Sequence, residues 1–244
     1  MTDQPVARDV YNRFAPTYNA AVETKPHNAY YDRPAVLGLL PDLTGKRVFD
    51  AGSGTGIYAR EMLARGAAYI LGVDVSEGML ALNWERNADH IAAGRLELRE
   101  ADLAQPVEFV ESGAFDVVVA PLVLDYIRDW RVTMREFHRA LRPGGVLVFS
   151  CGHPFSDYLY FKTGHYFETE YVEATWKGFG EPIVMKGYRR SLSEAIAPVL
   201  EAGFMLDKLV EPLPTEQYKQ ADPEGYEKLM RFPNFMCIRA RRAG

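Results

Sequence analysis

The sequence predicts an α/β fold built on a doubly wound parallel sheet. Three features carry the prediction: short apolar runs recur through the middle of the chain, segments with helical spacing separate them, and the first run ends in a glycine turn that opens into a helix. The runs are Arg47–Ala51, Tyr69–Val73, Arg95–Arg99, Phe115–Val119 and Gly145–Ser150. Strands that alternate with helices pair in parallel through crossovers and are covered on both faces, which accounts for their nearly continuous apolar character. The first intervening helix places Tyr58, Met62 and Leu63 before a stop at Gly66. The second carries Met79, Leu80 and Leu82 behind Ser76, a residue suited to an N-cap. The third runs from about Trp130 to Leu141 and ends at Arg142-Pro-Gly-Gly145. A helix over Ser191–Glu201 and strands over Phe204–Leu209 and Phe235–Ala240 follow.

Two segments depart from the alternation. Helical stretches over Val6–Asn19 and Tyr30–Leu40 precede the first strand. Residues 152–190 hold ten of the chain's thirty aromatic residues, among them Phe155, Tyr160, Trp176, Phe179 and Tyr188, about twice an even share. This stretch reads either as a lid or pocket wall at the sheet's carboxyl edge or as a β-hairpin with a small core of its own. The chain is expected to form one domain over 1–244. Within it lie N-terminal helices (1–43), a cofactor-binding half (44–151), a lid insertion (152–190) and a C-terminal helix with strands (191–244).

Composition bounds the function. The chain has 244 residues, 48% hydrophobic and 25% charged, which excludes a disordered or low-complexity protein. Its net charge of −5 disfavours a nucleic-acid partner, since phosphate grips need a basic surplus. The longest apolar stretch, Val117–Leu124, is far short of the ~18 residues a membrane span needs. The opening residues mix charges without an apolar core, and Cys151 and Cys237 make no disulfide framework, so a reduced, cytoplasmic setting is expected.

The most informative stretch is Val48-Phe-Asp-Ala-Gly-Ser-Gly-Thr-Gly-Ile57. Gly52, Gly54 and Gly56 let a ligand lie against bare backbone, and the helix behind them presents unpaired N–H groups. Asp74, at the end of the next strand, is placed to accept both hydroxyls of an adenosine ribose. The spacing is Gly-x-Gly-x-Gly, and Asp50 stands just before the turn. A carboxylate there repels a pyrophosphate and favours a ligand with a cationic end. S-adenosylmethionine, with its sulfonium and ammonium, fits better than a nicotinamide dinucleotide.

These motifs resemble those of the class I S-adenosylmethionine-dependent methyltransferases, particularly the small-molecule enzymes of the ubiquinone and menaquinone biosynthesis type. Asp50–Gly56 is similar to the family's first motif, Gly72–Ser76 to its second, Glu100-Ala-Asp-Leu103 to its third and Phe115–Leu122 to its fourth. Leu141–Leu147 resembles the turn before the fifth strand, and Tyr11–Tyr18 the opening helix. The resemblance implies a Rossmann-like sheet of seven strands with the last antiparallel, and S-adenosylmethionine as cofactor. The cofactor-binding positions it implies are Tyr18, Asp50, Gly52, Gly54, Gly56, Asp74, Val75, Met79, Asp102, Leu103 and Pro121. Met79 either packs on the adenine or fills a helix core, Tyr18 either closes over the cofactor or packs in the N-terminal layer, and Asp102 either meets the adenine amino group or serves a turn.

The expected reaction is methyl transfer to a small organic acceptor, at oxygen or nitrogen. The rival readings are a non-catalytic cofactor binder, an RNA methyltransferase and a nicotinamide-dependent oxidoreductase. His153, after the fifth strand, is the leading candidate for a general base, with anchoring of the turn before Pro154 as its alternative role. His165, Asp125 and Tyr126 are further candidates. Asp125 and Asp129 lack an evident third carboxylate, so no metal is expected. The sequence leaves the oligomeric state open.

Overall fold

In a computed structural model that describes residues 5–177 and 182–244, α1 (Arg8–Val22), a wide helical turn over Asn28–Asp32 and α2 (Arg33–Leu39) precede the first strand. Phe179 of the aromatic segment and the first four residues lie outside the described residues. Next come β1 (Arg47–Ala51), α3 (Ile57–Ala64), β2 (Tyr69–Asp74), α4 (Glu77–Arg86), α5 (Ala88–Ala92) and β3 (Leu96–Glu100). They are followed by β4 (Phe115–Pro121), α6 (Trp130–Ala140), β5 (Leu141–Gly152), α7 (Pro154–Phe161), β6 (Glu170–Trp176) and β7 (Ile183–Arg189). The chain closes with α8 (Leu192–Glu201), β8 (Phe204–Val210), α9 (Glu216–Ala221), α10 (Pro223–Leu229) and β9 (Phe235–Arg242).

Seven strands form one sheet in the order β3-β2-β1-β4-β5-β9-β8. The pairs among β1 to β5 are parallel, and β9 runs antiparallel to both β5 and β8, as expected of the last strand. Side chains alternate across each strand, so each central strand feeds two cores. Val48, Val117, Val119, Val146 and Val148 pack against α2 and α3, with Met62 and Leu63 at the centre. Phe49, Val118, Ala120, Leu147 and Phe149 face the other way, onto Trp130, Met134 and Phe137 of α6 and onto α8. The unbroken apolar runs in the sequence follow from burial on both faces.

The expected helix over residues 30–40 divides into the wide turn and α2, because Pro34 lacks the N–H needed to continue a regular ladder and suits only a helix start. Arg142–Gly145, read as a turn before the fifth strand, is a bulge inside β5: the β4–β5 register jumps between Phe115 and Val117. The aromatic segment forms α7 and a two-stranded antiparallel hairpin, β6–β7, with Val172 and Met185 buried beneath it. Helices α7, α9 and α10 were not anticipated. They are short, at eight, six and seven residues, and carry too few turns for an apolar period to register.

Gly56 owes its identity to packing. It has φ +82°, and a Cβ there would overlap Asn83 and Asn87, whose side chains are buried against the turn. Asn87 Nδ2 donates to the Gly56 carbonyl at 3.1 Å. Gly56→Ala is expected to destabilise the protein by about 2–4 kcal/mol, from the left-handed backbone together with overpacking. The loss should appear as a lower urea midpoint at unchanged slope; a midpoint equal to the parent's contradicts the packing role.

Candidate active site

The site lies at the carboxyl ends of β1, β2 and β4, where the glycine turn leaves the sheet. Val73 holds the start of the turn, its carbonyl accepting from the N–H groups of Gly52 and Ser53 at 2.8 Å each. Asp74 holds the rest: Oδ2 accepts from the Gly54 N–H and Oδ1 from the Ser76 N–H, both at 2.9 Å. Each Asp74 oxygen keeps lone-pair capacity toward the cavity. Burial raises the Asp74 carboxyl, and the backbone N–H bonds oppose that rise. A Cβ on Gly54 would meet nothing within 4 Å, so the turn offers open space to a ligand there.

Asp50 is fully buried at the end of β1, and both its carboxylate oxygens lack a hydrogen-bond partner among the described residues. Burial first, and then the charge of Asp74, push it up to about 7. A carboxylate in that state calls for a cation or a donor.

Helix α1 covers the cavity. Asn12 Oδ1 accepts from the Ser76 hydroxyl at 2.6 Å and from the Gly78 N–H at 3.1 Å, which clamps α1 onto the start of α4. Ser76 caps α4 as expected, its Oγ accepting from the Met79 N–H at 3.2 Å. Tyr11 and Tyr126 share a hydroxyl–hydroxyl hydrogen bond of 2.7 Å, and the Tyr18 ring stands edge-on to Tyr11 at 5.8 Å. Burial raises all three phenols above their usual range, so they stay neutral donors. Leu122, in the cavity wall, takes the left-handed conformation at φ 51°, a strain of the kind found at functional sites.

Nine of the eleven positions expected around a cofactor line this one cavity: Tyr18, Gly52, Gly54, Asp74, Val75, Met79, Asp102, Leu103 and Pro121. Asp102 also serves a turn, its Oδ1 accepting from the Ala104 N–H at 2.9 Å. Asp50 and Gly56 are not on the wall; the first lies behind it and the second faces α4.

His153 is not brought to the cavity. It precedes α7 with its Nε2 2.9 Å from Glu211 Oε1, and its backbone N–H donates to Asn234, so it anchors the turn. Its alternative role is therefore the one the geometry favours. His165 is exposed on a loop. Asp125 and Tyr126 do reach a cavity: a second one, bounded by α7, the hairpin and the turn after β4, and Tyr126 and Trp176 line both.

Sequence reasoning missed Tyr58, Asp32 and Arg33, which line the first cavity. Asp32 accepts from the Tyr58 hydroxyl at 2.7 Å, and burial pushes it up to about 6. Only its polarity amid the apolar Tyr30–Leu40 stretch could have flagged it. Trp176 arrives from more than fifty residues past β4; the aromatic enrichment of 152–190 marks its segment as a candidate pocket wall, but nothing local singles it out among the ten. Among the described residues no cluster of three or more His, Cys, Asp or Glu is arranged to hold a metal, and no helix is long and apolar enough to cross a membrane.

The family of the methyltransferase domain matches residues 49–149, the segment that carries the glycine turn and β1 to β5. An uncharacterised protein of Haemophilus influenzae is 28% identical over 232 residues, covering 88% of each chain. A ubiquinone biosynthesis O-methyltransferase of Neisseria meningitidis is 34% identical over 111 residues, a match that spans 45% of each chain. A solved S-adenosylmethionine-dependent methyltransferase from Mesorhizobium loti superposes with a TM-score of 0.65 at 30% identity, covering 86% of this chain and 96% of that one. The likeness extends over nearly the whole of that enzyme, and the chain belongs to the class I S-adenosylmethionine-dependent methyltransferases.

Proposed function

We propose that the protein methylates a small organic acceptor at oxygen or nitrogen. The observation that carries this reading is the pair of adjoining cavities that share Tyr126 and Trp176, one suited to the cofactor and the other walled by the hairpin and α7. The likeness to a ubiquinone biosynthesis O-methyltransferase over 111 residues supports a small acceptor.

The residues present fit the cofactor. Asp74 would hold the ribose hydroxyls, Asp102 and Leu103 the adenine, and the open face of Gly54 would admit the ligand against the backbone. Asp50 supplies the negative charge that a cationic nucleoside needs and a diphosphate would oppose. When bound, S-adenosylmethionine supplies a methyl group already made electrophilic by its sulfonium. The protein's task is then alignment, which contributes up to ~7–11 kcal/mol when reacting atoms are held in line. Tyr18 and Tyr126 pack edge-on against Tyr11 in the cavity wall, where the three rings would exclude water.

Asp74→Ala is expected to weaken S-adenosylhomocysteine binding by about 1.5–3 kcal/mol, the scale of lost charged hydrogen bonds. Calorimetric titration tests this, and an unchanged Kd removes Asp74 from the ribose site. In the same instrument the parent should bind S-adenosylhomocysteine in preference to NADH.

Asp50 gives a pH signature. Its carboxyl titrates at about 7 when folded against an ordinary 3.8, so the ligand-free fold loses stability as pH rises from about 4 through 7. Asp50→Asn should flatten that part of the stability profile, read by urea unfolding at each pH, and weaken S-adenosylmethionine binding. A variant whose profile parallels the parent's rules out the buried charge as the cause. His153→Ala should leave S-adenosylhomocysteine affinity unchanged, since its ring pairs with Glu211 away from the first cavity; a large loss of affinity would return His153 to the site.

A further inference from the structure

The second cavity holds two carboxylates that converge on one residue. Asp125 Oδ2 accepts from the Gly152 N–H at 2.9 Å, and the Asp157 carboxylate occupies the space that a Cβ on Gly152 would need. Asp157 receives no hydrogen bond from any described residue, although it lines the cavity. Burial, and then the charge of Asp125, push Asp157 up to about 8; burial raises Asp125 as well.

The nearby guanidiniums make their hydrogen bonds to other groups, although the charges of Arg189 and Arg190 partly offset the rise of Asp157 and that of Arg190 the rise of Asp125. Arg189 is held by Glu170 and by the carbonyls of His165, Tyr166 and Glu168. Arg190 donates to the carbonyls of Ile127 and Arg128 and lies over the Trp130 ring at 4.0 Å. Lys186, exposed on β7, lines the rim of the same cavity. Among the described residues neither guanidinium donates to Asp125 or Asp157. The rest of the wall includes Tyr126, Trp176, Tyr188 and Phe235.

We propose that this cavity receives the methyl acceptor and that the acceptor is a small amine, admitted as its ammonium between Asp125 and Asp157 and against the aromatic wall. The inference rests on the methyl-transfer reading above and narrows it to nitrogen. A cation relieves the repulsion between two enclosed carboxylates and is attracted by ring faces, whereas an anionic acceptor adds to the repulsion. A neutral alcohol brings no opposite charge to it. Asp157 is also the group placed to take the ammonium proton: the N–H bond breaks, an O–H bond forms on the carboxylate, and the lone pair stays on nitrogen.

The test uses the protein saturated with S-adenosylhomocysteine and three probes of similar size: 2-phenylethylamine, 2-phenylethanol and 3-phenylpropanoate. Calorimetric titration should show the amine binding at least tenfold more tightly than the other two. Asp157→Asn should lower amine affinity at least tenfold while the affinities for S-adenosylhomocysteine and for the alcohol stay within twofold, which also confirms that the variant is folded. Failure of the amine to bind, equal or tighter binding of the alcohol or carboxylate, or an unchanged amine affinity in the variant each overturns the amine assignment. If the parent does not bind S-adenosylhomocysteine, the methyl-transfer reading itself fails, and the amine assignment falls with it.

Discussion

Two carboxylates at neighbouring strand ends set the terms for the site. Asp74 is buried but compensated: its two oxygens accept backbone N–H bonds from Gly54 and Ser76. Asp50, on the adjacent strand, is buried with both oxygens unpartnered among the described residues. An unpaired carboxylate in a dry interior is costly unless it stays protonated or meets a cation. Its presence beneath a three-glycine turn is therefore informative about the ligand, because the same turn without it would accept a phosphate equally well. Asp74 in turn organises the backbone around the ligand, tying the glycine turn of β1–α3 to the start of α4 with one side chain.

The remaining walls come from far along the chain. Helix α1 reaches the cavity because Asn12 bridges Ser76 and Gly78, and Tyr11 joins Tyr126 across 115 positions of sequence. The hairpin brings Trp176 to the junction of the two cavities, and Lys25 Nζ ties its end to the N-terminal region by donating to the Lys177 carbonyl at 3.0 Å. The two readings of the aromatic segment therefore coexist: the hairpin has buried side chains of its own, Val172 and Met185, and also walls a cavity.

Legibility from sequence differed sharply between the two halves of the site. The cofactor side is local: Asp50 to Gly56 is one turn, Asp74 ends the next strand, and Asp102-Leu103 follows the third, so strand order alone gathers them. The second cavity is not. His153 follows β5 at the correct edge of the sheet, yet the N-terminus of α7 turns its ring toward Glu211. Asp157, one helical turn later, points instead to Gly152 and the cavity. Position along a strand predicts the sheet edge a residue occupies, but the side it faces depends on a helix too short to have been anticipated.

By itself the sequence determined the α/β alternation, the order of the motifs and most of the expected positions that come together around the first cavity, because period-2 and period-3.6 burial and a glycine turn are written in adjacent residues. Only the tertiary structure decided which aromatic rings close the cavity, why Gly56 is a glycine, and that Asp125 and Asp157 rather than His153 face the second chamber. Those outcomes depend on contacts between residues tens of positions apart or more, and on the rotation of short helices, which leave no period in the chain.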